Sequence, residues 1–226
     1  MSGGREQILA GIRTSLGRGR LDAAASAAAE ERVAAHRRNL IPARAATLDM
    51  AGRIALFIAM AQEVDATVMR VAALDDVPEA VAEYLTSQNL PSRLVATEDP
   101  KLDAIPWDKR PLLELRRGRA EDADAVGVTG CFAAVAETGT LMLISGPDMP
   151  TRNNFLPDTH IAVLRASDVV ASYEDGWDRL RTTGVMPRTV NFITGPSRTG
   201  DIEQRLVLGA HGPRRLHIVL IDDAGA

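Results

Sequence analysis

Two short segments of the sequence combine glycine with hydroxyl and charged residues, and they hold the strongest candidates for chemistry. The first is Glu137-Thr138-Gly139-Thr140, directly before an apolar run at Leu141–Ile144. Its glycine permits a tight turn with exposed backbone amides, which makes Thr138, Gly139 and Thr140 candidate ligand contacts. Glu137 is expected either to cap neighbouring backbone amides or to act as a catalytic nucleophile, base or ligand contact.

The second segment runs from Thr194 to Glu203 and follows an apolar run at Val190–Thr194. Arginine offers a planar fork of donors, and hydroxyls and backbone amides add further donors, so this segment is suited to a carboxylate or a phosphate. An alternative is a structural loop in which Arg198 pairs internally with Asp201 or Glu203. The candidate ligand-binding residues are Gly195, Pro196, Ser197, Arg198, Thr199, Asp201 and Glu203.

Histidine supplies one more candidate. His211 lies between glycines in Gly209-Ala-His-Gly-Pro213, just before the last apolar run, and is expected either to titrate as a catalytic group or to bond to a backbone carbonyl. The four histidines are scattered without metal-ligand spacing, so no metal site is predicted. Walker, dinucleotide-fingerprint and hydrolase-elbow motifs are missing from the sequence, which disfavours those chemistries.

The elements that must position these residues alternate between helix and strand. Helical stripes are predicted over 5–16, 21–38, 47–62, 75–88 and 173–182, and short apolar strands over 67–71, 94–96, 112–115, 123–128, 141–144, 160–164, 190–194 and 216–221. Continuous apolar strands indicate a sheet that is covered on both faces. The predicted fold is a Rossmann-like, open, mostly parallel α/β sheet with helices on both faces. Ligands bind beyond the carboxyl ends of strands in such sheets, which favours the segment after Val190–Thr194 as a site.

Charge separates the two ends of the chain. The formal net charge is −4, but residues 1–45 hold eight arginines against four acidic residues. We therefore predict a basic helical N-terminal arm over residues 1–45 and one α/β domain over residues 46–226. Because the arm lacks aromatic residues and the rest of the chain is acidic, nucleic-acid binding is not expected.

Cysteine content and hydropathy exclude several classes. The single cysteine, Cys131, cannot supply the roughly four ligands of an iron–sulfur or structural zinc site within one chain. No stretch reaches the roughly 18 to 20 apolar residues of a membrane span. The N-terminal residues also lack the pattern of a signal peptide, so a cytoplasmic location is expected.

Several motifs together resemble the lactate-utilisation protein C family, whose domain is called the LUD domain. They are Gly127-Val-Thr-Gly-Cys131, Ala136-Glu-Thr-Gly-Thr140, Leu156-Pro157 with His160-Ile-Ala-Val163, Phe192-Ile-Thr-Gly-Pro-Ser-Arg-Thr199, Asp201-Ile-Glu203 and Gly209-Ala-His-Gly-Pro213. The resemblance is dense from about Asp122 to Asp223. It implies a fold similar to the sugar-phosphate isomerase and coenzyme A transferase group. The resemblance also implies that Glu137, Arg198 and His211 are positions in the motifs of this family.

The resemblance further implies a role beside two iron–sulfur partner proteins that oxidise L-lactate to pyruvate. The main hypothesis is therefore a non-redox component that has no cofactor of its own and binds a small organic anion, either lactate or pyruvate or a phosphate-bearing ligand. One alternative is an acyl- or coenzyme-A-transferring enzyme with Glu137 as nucleophile. Another is a small-molecule-sensing regulator that uses the basic arm.

Overall fold

The structure is a computed structural model that describes residues 3–17, 19, 21–38, 40–202 and 205–223, with side chains for all of these except 199–202 and 205–208. The chain forms two compact units, Met1–Leu40 and Ile41–Ala226. The first unit contains helices α1 (Gly3–Ser15) and α2 (Ala23–Ala35), where the sequence predicts helices. Within the described ranges, no helix combines the length and apolar character needed to cross a membrane.

The second unit alternates helices and strands. Its helices are α3 (Ala43–Ala46), α4 (Met50–Glu63), α5 (Val77–Ser87), α6 (Pro100–Asp103), α7 (Arg152–Phe155) and α8 (Tyr173–Thr182). Its strands are β1 (Thr67–Val71), β2 (Arg93–Ala96), β3 (Glu114–Arg117), β4 (Val126–Gly130), β5 (Ala133–Val135), β6 (Thr140–Ile144), β7 (Thr159–Arg165), β8 (Val169–Val170), β9 (Val190–Ile193), β10 (Arg198–Ile202), β11 (Arg205–Leu208) and β12 (Arg215–Ile221).

A six-stranded central sheet organises this unit. Its strand order is β1-β12-β7-β4-β2-β3, and neighbouring strands run parallel throughout. The middle strands are continuous apolar runs because both faces of the sheet are covered; Ile218, Val219 and Leu220 of β12 are all fully buried. The predicted Rossmann-like, mostly parallel α/β fold is therefore confirmed.

Different layers cover the two faces of the central sheet. On one face, Val81 of α5 packs in a cluster with Val128 of β4. On the other face, Phe57 of α4 and Leu141 of β6 pack in a cluster with Leu164 of β7. The helix α4 begins where the Asp49 side chain accepts a hydrogen bond from the backbone N–H of Gly52, at 2.8 Å. The second face is therefore covered by a helix together with a second sheet.

This second sheet has the strand order β8-β5-β6-β9, with β6 antiparallel to both β5 and β9. The prediction that residues 141–144 and 190–194 belong to one open sheet is therefore wrong. Short apolar strands look alike whichever sheet they join, so the sequence could not separate them. The outer face of the second sheet is covered by α8, where Leu180 packs in a cluster with Met142 of β6.

Candidate functional site

A cavity of about 440 Å³, called here the large cavity, lies where the carboxyl end of β9 meets the amino ends of β7 and β12. Both polar and apolar residues line it, which suits a small molecule with a charged end and an apolar body. The residues that line it are Val64, Asn154, Phe155, His160, Phe192, Ile193, Thr194, Gly195, Pro196, Ser197, Arg198, His211, Gly212, Pro213 and Leu216.

The large cavity lies at a different edge of the central sheet from the one expected. The segment after Val190–Thr194 was expected at the carboxyl edge of the main parallel sheet. However, β9 belongs to the second sheet, and the cavity lies against the amino ends of β7 and β12. The segment was therefore identified by its residue types, while the rule about strand ends did not apply to it.

Glycine shapes the start of the segment. Gly195 has a φ of +76°, and a Cβ atom placed on it would lie 2.4 Å from the carbonyl oxygen of Val64. A residue with a side chain would therefore be strained here and would push the chain away from the end of α4. Further along, the backbone N–H of Ser197 donates to the carbonyl of Pro213 at 2.8 Å, and the N–H of Gly209 donates to the carbonyl of Ser197 at 3.0 Å.

Arg198 supplies a positive charge at the cavity. Its guanidinium forms an ion pair with Asp65, and its side chain is 40% exposed. The alternative in which Arg198 pairs with Asp201 or Glu203 stays a prediction, because the Asp201 side chain and Glu203 lie outside the described part of the chain. Because a guanidinium carries five N–H donors, a single carboxylate leaves donors for an anionic ligand. His211, from the loop tied to Ser197, is exposed and also lines the cavity.

His160 lies in the wall of the large cavity and is fully buried. Its Nε2 atom shares a hydrogen bond of 2.7 Å with the Thr129 hydroxyl, whereas its Nδ1 atom has no partner among the described residues. Burial lowers the pKa of His160 to about 4, so the ring is neutral at pH 7. His160 is not among the site residues predicted from the sequence, because a histidine at the start of an apolar strand carries no sign of a cavity.

The two glycine-bearing segments do converge. The hydroxyls of Thr140 and Thr194 share a hydrogen bond of 2.7 Å, at the end where β6 pairs with β9. The Thr140 hydroxyl also bonds to that of Thr138 at 2.7 Å and to that of Tyr173 at 3.0 Å. These hydroxyls satisfy one another, and residues 137–140 are not among those that line the large cavity.

Gly139 explains why this turn is closed. Its φ is +65°, and a Cβ atom placed on it would lie 2.3 Å from the backbone nitrogen of Ala61 in α4. The predicted tight turn is therefore present, but Gly139 is buried against the helix, so its expected exposure to solvent is wrong. In this turn, glycine allows backbone to pack directly on backbone.

Glu137 is buried beside this turn with 6% of its surface exposed, and its Oε2 atom has no hydrogen-bond partner in the described part of the chain. Burial and the nearby Glu174 carboxylate raise its pKa, while the Arg44 guanidinium, which donates to the Glu137 carbonyl, acts in the opposite direction. Because Glu137 does not line the large cavity, its role as a catalytic nucleophile stays a prediction.

Some predicted contacts fall outside what can be described. Glu203 lies outside the described residues, and the side chains of Thr199 and Asp201 are likewise not described. Within the described ranges, no group of three His, Cys, Asp or Glu side chains is placed to hold a metal ion. The cavity thus contains Gly195, Pro196, Ser197, Arg198 and His211 from the predicted set.

A six-stranded parallel sheet backed by a second sheet, with a cavity between their ends, defines a two-sheet α/β domain. The family model described as the LUD domain matches residues 54–221. The chain therefore belongs to the LUD domain family, and the resemblance proposed from its motifs is confirmed.

Individual relatives agree with this assignment. The chain is 38% identical over 109 residues to lactate utilization protein C of Bacillus subtilis, a match that covers 46% of this chain and 45% of the relative. It is 36% identical over 108 residues to the protein of that name from Deinococcus radiodurans, with 47% and 50% covered. The chain thus spans about half the length of the curated relatives that it matches.

A solved structure shows the same fold. The crystal structure of a DUF162 family protein from Deinococcus radiodurans superimposes with a TM-score of 0.59 at 24% sequence identity. The match covers 77% of this chain and 99% of that chain.

Proposed function

We propose that this chain is a non-redox component of an L-lactate oxidation system, in which it binds a small organic anion and works beside iron–sulfur partner proteins. Membership of the LUD domain family and relatives named lactate utilization protein C support the pathway. The observation that carries the binding role is that Ser197, Arg198 and His211 come together around one cavity.

Different residues of the large cavity bind different parts of the ligand. The Arg198 guanidinium attracts a carboxylate or phosphate, and the Ser197 hydroxyl is available to hydrogen-bond it. Phe192 and Leu216 offer apolar surface to the carbon chain of a ligand. The neutral His160 ring contributes an Nδ1 atom that needs a partner. Lactate and pyruvate, or a larger phosphate-bearing molecule, fit this combination of groups.

The assignment of redox chemistry to partners rests on cysteine. Clusters of the common kind need about four thiolates, and this sequence contains one cysteine. Cys131 is 1% exposed, and burial raises the pKa of its thiol to about 12, so it is a protonated core residue. We therefore assign iron–sulfur clusters to partner proteins and no cofactor to this chain.

Binding to the large cavity is tested by calorimetric titration with lactate, pyruvate and phosphate. Arg198→Ala should weaken the binding of the anion at least about 10-fold, because a charged hydrogen bond contributes roughly 1.5 to 3 kcal/mol. Asp65→Asn is the matched variant, since it removes the carboxylate that pairs with Arg198 and should strengthen binding. If Arg198→Ala bound the anion with full affinity, the anion-binding site would lie elsewhere on the chain.

The pathway is tested in cells. A strain that lacks this chain should fail to grow on L-lactate, and the wild-type gene should restore growth. Iron–sulfur proteins should co-purify with the wild-type chain. Normal growth of the deletion strain on lactate would contradict the proposal.

A further inference from the structure

A second cavity, called here the carboxyl-edge cavity, has a volume of about 140 Å³ and lies beyond the carboxyl ends of β2 and β4. Thr97 follows β2 directly, and Gly130 is the last residue of β4. In parallel α/β sheets, ligands bind beyond the carboxyl ends of the strands. This cavity therefore occupies the place in the central sheet where such folds hold their ligands.

Lys101 brings a positive charge to this cavity. Its ammonium donates to the carbonyl of Cys131 at 3.0 Å and to the Asp168 carboxylate at 2.8 Å. The Asp168 carboxylate also accepts from Arg179, so one negative charge is shared between two cations. An ammonium has three N–H donors, and these two bonds leave the third for a ligand.

Asp99 brings a negative charge to the same cavity and is 6% exposed. Its carboxylate accepts a hydrogen bond of 2.9 Å from the backbone N–H of Lys101. A Cβ atom placed on Gly130 would lie 2.1 Å from the Asp99 Oδ2 atom. The glycine at the end of β4 thus makes room for this carboxylate at the cavity wall.

Thr97 is the observation that points to a ligand. The residue lines the carboxyl-edge cavity and is 1% exposed, and its hydroxyl has no hydrogen-bond partner among the described residues. Leaving a buried hydroxyl without a partner costs about 1 to 3 kcal/mol. A polar molecule in the cavity would supply the missing partner.

Four large apolar residues also line this cavity: Phe132, Leu143, Ile144 and Met149. The volume of about 140 Å³ is about a third of the 440 Å³ of the large cavity, which favours a small molecule. The occupant must therefore be short, with an apolar part and at least two polar groups of different character.

We infer that the carboxyl-edge cavity is a second binding site, for a short carboxylic acid with a hydrogen-bond donor on carbon 2, that is, a 2-hydroxy or 2-amino acid. The ligand carboxylate lies at Lys101, the donor on carbon 2 faces Asp99 and Thr97, and the carbon chain contacts the apolar wall. A 2-oxo acid has no donor for the Asp99 carboxylate, so its binding is weaker. This inference goes beyond the proposed function, because it does not depend on which anion occupies the large cavity.

The two cavities are neighbours. Asn154 lines both of them, and Thr129 of the carboxyl-edge cavity hydrogen-bonds to His160 of the large cavity. A binding experiment must therefore assign each ligand to one of the two cavities, which requires a variant in each.

The test is a calorimetric titration of the full chain with four probes: L-lactate, L-alanine, pyruvate and propionate. We expect L-lactate or L-alanine to bind about 10-fold or more tightly than pyruvate and propionate, and the better of the two identifies the donor as a hydroxyl or an ammonium. Asp99→Asn should remove most of this preference. Asparagine is also a good helix cap, so the start of α6 should be preserved.

Thr97→Val separates binding from folding. The variant removes a hydroxyl that has no partner, so the free energy of unfolding should stay the same or increase, while affinity for the preferred probe should fall about 10-fold. Equal affinity for propionate and the preferred probe, or no binding of any probe at millimolar concentration, would overturn the inference. Binding lost in Arg198→Ala but unchanged in Thr97→Val would place the acid in the large cavity; the second site would then be rejected and the proposed function would stand.

Discussion

The two glycine-bearing turns have similar composition and contact the same helix, yet only one of them lines the large cavity. Gly139 and Gly195 both have positive φ values, +65° and +76°, and both lie against the C-terminal end of α4. A hydrogen bond between Thr140 and Thr194 joins the two turns. Nevertheless, residues 137–140 are closed off, whereas residues 194–198 line the large cavity.

The difference follows from where each turn meets the second sheet. The first turn leads into β6, which has β5 on one side and β9 on the other. The second turn follows β9, which is the edge strand, and the chain then leaves the sheet to form the antiparallel pair β10 and β11. A glycine that follows a threonine thus marks a close approach of backbones in both turns. Whether the turn is open to a ligand depends on the neighbouring strands.

The largest expected effect comes from filling the contact at the closed turn. Gly139→Ala should lower the free energy of unfolding by about 3 to 5 kcal/mol, from a strained positive φ and a Cβ atom forced against α4. Gly195→Ala should cost less, about 2 to 4 kcal/mol, because the Val64 carbonyl it meets lies beyond the last residue of α4. Urea unfolding measures both.

Gly184→Ala is the matched control for these variants. Its φ is +70°, but a Cβ atom there meets nothing within 4 Å. Gly184→Ala should therefore lower the free energy of unfolding only through its strained positive φ, by about 1 kcal/mol. If all three variants lost the same amount, the direct packing of the two turns on α4 would have no energetic role.

Lowering the pH should reduce the stability of the folded chain through His160, which lines the large cavity. Burial lowers the pKa of His160 to about 4 from an ordinary value of 6.5. Below pH 6.5 the unfolded chain takes up a proton on His160 that the folded chain does not. The contribution of His160 to the free energy of unfolding is therefore fully present above pH 6.5, and about 3 kcal/mol of it is lost by pH 4. His217, stacked on Tyr84, adds a contribution of the same sign.

Unfolding of His160→Asn measured between pH 7 and pH 4 isolates this contribution. The fall in the free energy of unfolding should be smaller than in the wild-type chain by about 3 kcal/mol. An unchanged fall in His160→Asn would mean that the folded chain already holds a proton on His160.

The elements with strong local signals were predictable from the sequence. The helix over Tyr173–Thr182 and the strand over Thr67–Val71 have the predicted bounds. The helix begins at a capping box of Ser172 and Asp175, a local pattern that needs no tertiary contact. The second sheet was not predictable, because three-residue strands such as Ala133–Val135 carry too little periodicity.

The candidate site likewise contains residues that the sequence predicts and residues that it does not. Ser197, Arg198 and His211 were found because their residue types suit anions and a single loop system places them together. The residues that fold in from elsewhere were missed: His160 and Asn154 in the wall, and Asp65 as the partner of Arg198. Only tertiary structure brings these residues to the cavity, so a single sequence holds no signal for them.

The smallest expected effect concerns the closed turn, and its sign is opposite to that of the histidine. Burial and Glu174 raise the pKa of Glu137 above its ordinary value of 4.5. Between these two pKa values the folded chain holds a proton that the unfolded chain has lost, so the free energy of unfolding decreases as pH rises through this range. Glu137→Gln should remove this decrease and make the chain slightly more stable at pH 7.

Glu174→Gln is the matched variant, because it removes the neighbouring charge and leaves Glu137 in place. In Glu174→Gln, the decrease in the free energy of unfolding with rising pH should be smaller than in the wild-type chain but still present. Urea unfolding from pH 4 to pH 8 measures it. A less stable Glu137→Gln at pH 7 would show that Arg44 holds Glu137 ionised in the folded chain. The closed turn would then be stabilised by an ion pair and not only by the packing of its glycine on α4.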